Sequence, residues 1–178
     1  PETLVGLLGC TSAAEVQTRR EELCQTAYEC GLYHVLGKCA VLMYIDNNAR
    51  RLLDEEFFCI QSHPRTGADI LNRMGCGRTL ALAALYHHCY YNGKGGYPND
   101  VPSCPPEIKG IVDALSVADS LDAATDNIGR CYNLAKPFRT LLEELRAQSG
   151  TRYAPNVVAL LEDECFCQQL AENTDAER

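Results

Sequence analysis

Long apolar runs are missing from this sequence. None approaches the roughly 18 consecutive residues that a membrane-spanning helix requires, so membrane insertion is not expected. The first residues carry no basic stretch followed by an apolar one, so no secretory signal is predicted. Positive charge is also scarce, because 16 Lys and Arg face 24 Asp and Glu and give a net charge of −8. That balance argues against duplex DNA or RNA as a partner but still allows a small phosphate ligand, which a local basic cluster can hold.

The cysteines lack a metal-binding or redox spacing. The chain has 11 of them, and the closest pair, Cys165 and Cys167, forms neither a zinc-ribbon nor a CxxC motif. An odd number without a secretory signal fits reduced thiols, so we expect a cytoplasmic protein. Most of these side chains are expected to be small buried hydrophobic groups, as for Cys39 before an apolar run. A second metal site built from cysteines is the alternative.

Strand-like alternation and internal repeats are absent, whereas helical periodicity runs through the chain. The apolar positions from 108 to 121 recur at the 3.6-residue period. With 178 residues and 46% apolar content, the chain is long enough for one domain with its own core. Helices are predicted over residues 13–36, 49–61, 63–75 and 80–90, from Pro106 onward, and from Pro137 and Pro155 toward the end.

The sequence therefore predicts a single all-α domain over residues 1–178. Residues 92–100 are predicted to be a glycine-rich loop, and the polar residues 171–178 are expected to be frayed. Because the first residue is Pro1, we expect the sequence to be a piece of a longer protein.

Histidine is scarce, and its placement is unusual. The chain has only four, His34, His63, His87 and His88, and each lies at or near the end of a predicted helix. Neutral imidazole is the commonest metal ligand, so a metal or phosphate site is one interpretation and satisfied core histidines are the other. Asp119 interrupts the apolar stripe of the long helix, where an unpaired charge is costly. It is the best carboxylate candidate, with an N-cap or ion pair as the structural alternative.

Five sequence blocks, taken in order, resemble one known family. Residues 32–38 (LYHVLGK) are similar to its LLHDIGK motif, 62–71 to HPxxGAxIL, 87–98 to HHERxDGxGYP, 117–125 to VADxFDALT and 150–158 to GxxFDPxVV. The chain thus resembles the HD-GYP family of metal-dependent phosphohydrolases, which cleave cyclic di-GMP. The resemblance implies an all-α HD-domain helical bundle.

The resemblance also implies a site in which His and Asp side chains hold two or three metal ions around a bridging water or hydroxide. Carried over by position, His34 and Asp119 would serve the first metal. His63, His87 and His88 would form a three-histidine face on its neighbour.

Further residues are implied to contact the substrate. Lys38 would touch a substrate phosphate and act in catalysis. Gly96, Tyr97 and Pro98 would line the ligand pocket. Arg130 and Lys136 belong to a stretch, RCYNLAKPF, that is similar to the phosphate-binding RPYRxAK of the family.

The departures from the family pattern affect the first metal above all. Val35 replaces the metal-bridging aspartate of the HD pair, and valine has no lone pair to donate. No histidine precedes His34, so an upstream ligand is missing from this sequence. Cys89, Asn133 and Ala154 stand where the family has glutamate, arginine and aspartate. We therefore expect about one divalent metal per chain (Fe, Mn, Zn or Ni) on the three-histidine face.

Three functions remain open at this point. The first is a phosphodiesterase of reduced activity that acts on cyclic di-GMP or a related cyclic dinucleotide. The second is a catalytically inactive module that binds a cyclic dinucleotide or another protein. The third is a mononuclear phosphohydrolase of another substrate, such as a nucleotide monophosphate. An upstream regulatory domain is the expected partner within a longer chain, and a homodimer is a further expectation.

Overall fold

The computed structural model describes residues 1–41, 45, 50, 52–125 and 136–176, with side chains up to residue 170. Helices account for most of this part of the chain. They are α1 (Ala13–Thr18), α2 (Arg20–Tyr33), α3 (Asp54–Gln61), α4 (His63–Arg73), α5 (Arg78–Tyr86), α6 (Pro106–Thr125), α7 (Phe138–Ala147), α8 (Pro155–Leu160) and α9 (Glu164–Ala176). Short 3-10 helices cover Glu2–Leu4, Leu7–Gly9 and Leu36–Ala40.

The all-α prediction is confirmed. Across the described ranges the only β-type pairing consists of two isolated bridges, Cys89 with Gly96 and Ser149 with Tyr153. No helix in the same ranges is long and apolar enough to cross a bilayer. The start of α4 at His63 and of α8 at Pro155 follows the predicted positions, since proline at the first turn lacks only an N–H that would have no helical partner.

Several helix boundaries differ from the predicted ones. The helix predicted over residues 13–36 is two helices, because Arg19 leaves helical geometry and its guanidinium donates to the Leu8 carbonyl at 3.1 Å. The helix predicted from Pro155 ends at Leu160, and a separate helix, α9, follows and continues to Ala176. The Asp163 carboxylate accepts from the Phe166 N–H at 3.0 Å and so caps that additional helix.

Helices α4 and α5 form the centre of the fold and are packed through small side chains. Ala68 and Leu71 of α4 meet Ala81 and Ala84 of α5 in a buried cluster. The 3-10 helix Leu36–Ala40 lies on α4 at a close approach between backbones, where a Cβ on Gly37 would overlap the His63 carbonyl. This contact brings the end of α2 next to the beginning of α4.

The long helix α6 joins the two halves of the core. Its first half, with Ile111 and Leu115, packs with Ala83 of α5 and the N-terminal segment. From Val117 onward it packs instead against α7 and α8, through residues such as Leu145. Asp119 therefore lies just past the point where α6 passes from one cluster to the other.

Candidate metal centre

Side chains from four helices meet at one place in the bundle. His34 caps the end of α2, His63 begins α4, and His87 and His88 follow the end of α5. Ring centroids lie 4.9 Å apart for His34 and His87, 5.1 Å for His63 and His87, and 4.1 Å for His87 and His88. Asp119 of α6 reaches the same group, with Oδ1 3.4 Å from Nε2 of His34. The structure thus brings together the five residues that the sequence marked as metal ligands, and their role as ligands stays a prediction.

Three of the histidines are oriented in the same way. In each, the ring Nδ1–H donates to the backbone carbonyl three residues earlier, which lies at the end of a helix. Such a bond fixes the ring and leaves the lone pair of a neutral imidazole on Nε2, as in metal-binding histidines. The pairs are His34 with Gly31 at 2.6 Å, His63 with Ile60 at 2.7 Å, and His87 with Ala84 at 2.7 Å.

The Nε2 atoms of His63 and His87 face each other at 3.1 Å. Because both rings already use their N–H toward carbonyls, two lone pairs oppose each other unless a proton or cation lies between them. Two imidazole nitrogens bound to one ion at about 2.0–2.1 Å are roughly 2.8–3.4 Å apart for angles between octahedral and tetrahedral. His88 completes the set, since the ligand atoms of all three residues lie within 4.8 Å of one another. The donor set fits a divalent metal.

Burial keeps these imidazoles neutral. His63 and His87 are fully buried and His88 nearly so. Burial is the main cause that lowers the pKa of His63, and burial followed by the neighbouring imidazoles holds the pKa of His87 well below its usual value. Burial lowers the pKa of His88 to about 3. At neutral pH the three rings therefore present lone pairs rather than protons, which is the state that binds a metal.

Asp119 connects the three-histidine face to His34. Its Oδ2 lies 3.8 Å from Nδ1 of His88, while its Oδ1 faces His34. Nδ1 of His34 donates to a carbonyl, so Nε2 is the ring atom of His34 that faces the carboxylate. Burial favours the protonated carboxyl, but the His34 hydrogen bond and the other imidazoles outweigh it and hold the pKa of Asp119 below its usual range.

The glycine-rich loop after His88 folds back over that residue. The Tyr97 N–H donates to the His88 carbonyl at 3.2 Å, and the two rings lie 4.5 Å apart. Gly96 has a φ of +82°, and a Cβ there would overlap the same carbonyl, so only glycine fits. The Cys89 thiol lies 3.4 Å from the carbonyl of Pro98. The predicted pocket residues Gly96, Tyr97 and Pro98 are therefore part of the loop that closes over His88.

The remaining predicted residues are spread more widely. Lys38 lies half-buried in the 3-10 helix after Val35, and its charge acts on His63. The Lys136 ammonium is exposed and pairs with both carboxylate oxygens of Glu144, at 2.7 and 2.8 Å. Arg130 lies outside the described residues.

One charged residue near the histidines was not predicted. Arg152 is close enough for its charge to lower the pKa of His88 and to oppose the burial that raises the pKa of Tyr97. It occupies a variable position of the fifth block, so the family pattern gave it no weight. The neighbouring Tyr153 hydroxyl contacts the Ser120 hydroxyl at 3.0 Å, beside Asp119, which shows that this turn belongs to the surroundings of the site.

Comparison with known proteins supports the assignment that the geometry indicates. No protein-family model matches the chain. The chain is 32% identical, over 82% of its length, to a cyclic di-GMP phosphodiesterase of Thermotoga maritima. It is 33% identical, over 72% of its length, to a 3'3'-cGAMP-specific phosphodiesterase of Vibrio cholerae. These matches cover 37% and 24% of the two relatives, so the chain spans between about a quarter and two fifths of the length of these curated relatives.

An all-helical bundle in which histidines and an aspartate converge from separate helices defines an HD-domain protein. Within that class, the five sequence blocks and these relatives show that the chain belongs to the HD-GYP family.

Proposed function

We propose that this domain hydrolyses a phosphodiester bond of cyclic di-GMP or a related cyclic dinucleotide, using a single divalent metal on His63, His87 and His88. The substrate class follows from the relatives, which are named as phosphodiesterases of cyclic dinucleotides. The observation that carries the proposal is the pair of opposed Nε2 atoms of His63 and His87, 3.1 Å apart and both buried.

The chain's own residues have separate tasks around that cation. The three imidazoles hold it, and the carbonyls of Ile60 and Ala84 hold the rings of His63 and His87 in place. A divalent metal bound there neutralises phosphate charge and makes water a stronger nucleophile. Lys38 adds positive charge beside His63 that favours an anionic substrate.

Val35 is the reason to expect a reduced rate. A carboxylate at this position, next to His34, would give a second metal an anionic ligand, and valine gives none. A single metal can activate water, but it cannot clamp both the attacking and the leaving oxygen as a metal pair does. We expect turnover below about 1 per second, the lower end of the usual enzyme range.

Val35 also supports a second candidate, a catalytically inactive module that binds the dinucleotide and passes the signal through protein contacts. In that case the histidines would hold a metal that positions the ligand without cleaving it. Binding without turnover distinguishes this candidate from the first.

Metal content and hydrolysis, measured together, test the proposal. We expect about one metal per chain in the purified protein. The substitution His87→Gln should lower the affinity for that metal by at least about a hundredfold. His34→Gln is the matched control, because it replaces a histidine outside the three-imidazole group and should keep the metal. Circular dichroism checks that both variants fold.

Each outcome has a meaning. Metal binding with slow cleavage of cyclic di-GMP supports the proposal. Metal binding with ligand affinity but no cleavage supports the inactive module. A wild-type protein that takes up no Fe, Mn, Zn or Ni contradicts both the metal site and the activity.

A further inference from the structure

The turn at residues 148–153 is tied to the loop that follows the histidine pair. The Tyr91 N–H donates to the Arg152 carbonyl at 3.0 Å, and the Asn92 N–H donates to the Thr151 carbonyl at 3.1 Å. Because Tyr91 is only three residues after His88, these bonds fix the backbone of Arg152 relative to the metal centre. The turn also reaches α6, through the contact of the Tyr153 hydroxyl with Ser120.

The Arg152 guanidinium is held by aromatic rings rather than by a carboxylate. Its Cζ lies 5.1 Å from the ring centre of Tyr153 and 5.9 Å from that of Tyr90, distances at which the ring faces attract a cation. The side chain is half-buried. Among the residues that the structure describes, no Asp or Glu forms an ion pair with it, in contrast to Arg146 on the preceding helix, which pairs with Glu162.

The Arg152 guanidinium lies near the loop that follows the histidine pair, because its Cζ is 5.9 Å from the ring centre of Tyr90, two residues after His88. It acts on His88 and on Tyr97, the residues of the loop closest to the three-imidazole face. Lys38 acts in the same way on His63. The histidine centre therefore has one cationic side chain near His63 and another near His88, in a chain whose net charge is −8.

We propose that Arg152 is a substrate-binding residue whose guanidinium holds a phosphate group at the His88 and Tyr97 side of the metal centre. A guanidinium is planar and presents paired N–H donors that match two phosphate oxygens, and it stays charged at all physiological pH values. Its contacts with the rings of Tyr153 and Tyr90 restrict the side chain before the ligand arrives, which reduces the entropy lost on binding. The inference rests on the proposed function for the identity of the substrate, but an anion site at Arg152 can be tested without it.

Inorganic phosphate is the probe that tests the anion site at Arg152 separately from the proposed hydrolysis of a cyclic dinucleotide. Its affinity is measured by isothermal titration calorimetry, with and without added divalent metal, in the wild type, Arg152→Gln and Arg152→Lys. The control is Arg73→Gln, which removes the same charge from an exposed arginine at the other end of α4 from His63. Metal content and thermal unfolding of each variant are measured in parallel, and Arg152→Lys, which keeps the charge, is the variant in which folding is least at risk.

We expect Arg152→Gln to weaken phosphate binding by about tenfold, the effect of losing one hydrogen-bonded ion pair. Arg152→Lys should lose less, and Arg73→Gln should stay within about twofold of the wild type. Equal phosphate affinity in the wild type and Arg152→Gln, or no phosphate binding by the wild type, overturns the inference.

Turnover of cyclic di-GMP provides the second readout. If the proposed function holds, Arg152→Gln should raise KM and leave the metal content unchanged. If the wild type does not cleave cyclic di-GMP, the proposed function fails, and the phosphate titration still decides the role of Arg152.

Discussion

The two halves of the candidate metal centre differ in burial and in the number of side chains that could bind a metal. The three-imidazole face consists of His63 and His87, which are buried, and of His88, which is partly buried; their ligand atoms lie within 4.8 Å of one another. The other half consists of His34 and Asp119, whose Nε2 and Oδ1 atoms are 3.4 Å apart. His34 is followed in the chain by Val35, which cannot donate to a metal. One half thus groups three imidazoles that could hold a metal, whereas the proposed ligand set of the other half lacks a carboxylate at position 35.

The comparison teaches that the two halves depend on different parts of the fold. His63 and His87 are carried by α4 and α5, whose mutual packing through alanines forms a buried cluster of its own. His34 follows the end of α2. Its position relative to the three-imidazole face is set by the next 3-10 helix, in which Gly37 packs against the backbone of α4. A change at Val35 therefore leaves the packing behind the three-imidazole face in place.

The largest effect is expected where the two halves are joined. In Gly37→Ala, the added Cβ would overlap the His63 carbonyl and crowd the Gly67 N–H, so backbone rather than a flexible side chain must move. We expect the free energy of unfolding to fall by about 3 kcal/mol, at the upper end of overpacking effects. Urea denaturation measures the loss, and metal affinity should fall with it because His63 moves.

Gly31→Ala is the matched control for this substitution. Gly31 lies in α2, a Cβ there meets nothing within 4 Å, and its carbonyl still accepts from His34. Replacing a helical glycine by alanine should stabilise the protein by up to about 1 kcal/mol. Similar destabilisation by both variants would show that the junction at Gly37 does not hold the two halves together.

A smaller change in free energy is expected from Val35→Asp, which tests the difference between the three-imidazole face and the half formed by His34 and Asp119. This variant supplies the carboxylate that the incomplete half lacks, so the metal content should rise from about one to about two per chain. Two metals can stabilise both the attacking and the leaving oxygen, and turnover of cyclic di-GMP should rise by about tenfold, or 1.4 kcal/mol. Elemental analysis and a hydrolysis assay under the same metal loading measure both changes.

Val35→Asn controls for size and polarity without adding an anionic ligand. It should leave the metal content and the turnover near those of the wild type. If Val35→Asp binds two metals without a gain in rate, then the missing carboxylate does not limit catalysis, and the two halves of the site do not differ in the way proposed here.

The sequence predicted the features that depend on a regular apolar pattern or on a scarce residue type such as histidine. Helical periodicity predicted the all-α class, and scarce histidines at helix ends made a metal or phosphate site one of two interpretations before any family was considered. The meeting of His34 and Asp119, 85 positions apart, was predicted only through the family resemblance, because periodicity places residues on helix faces but does not say which helices touch.

Other features depend on tertiary contacts that no local pattern contains. Arg152 lies at a variable position, and its relation to His88 arises from backbone bonds between two loops. Ligand binding by Lys136 stays a prediction, and the pairing of its ammonium with Glu144 of α7 was not foreseen. The break between α8 and α9 was missed because the apolar pattern continues through Leu161, and the cap by Asp163 was not recognised.

The smallest effect is expected at α3, which supports the three-imidazole face from outside. Its Ile60 carbonyl orients His63, and its first turn is held by Glu56, whose carboxylate accepts from the Leu53 N–H at 2.8 Å and pairs with Arg50. Glu56→Gln should lower the free energy of unfolding at pH 7 by much less than Gly37→Ala does. Glu55→Gln, at an exposed neighbouring position, is the control.

The stabilisation that Glu56 contributes should depend on pH in one direction. Hydrogen bonds from Arg50 and then from the Leu53 N–H lower the pKa of Glu56 to about 2, from an ordinary value of 4.5. Because the native carboxylate holds a proton less readily than the unfolded one, the stabilisation is present above pH 4.5 and is lost as the pH falls toward 2. The difference in urea midpoint between the wild type and Glu56→Gln should therefore shrink across that range. A constant difference would mean that Glu56 acts through its size and not its charge, and that the charged cap contributes nothing to holding α3 and the His63 ring.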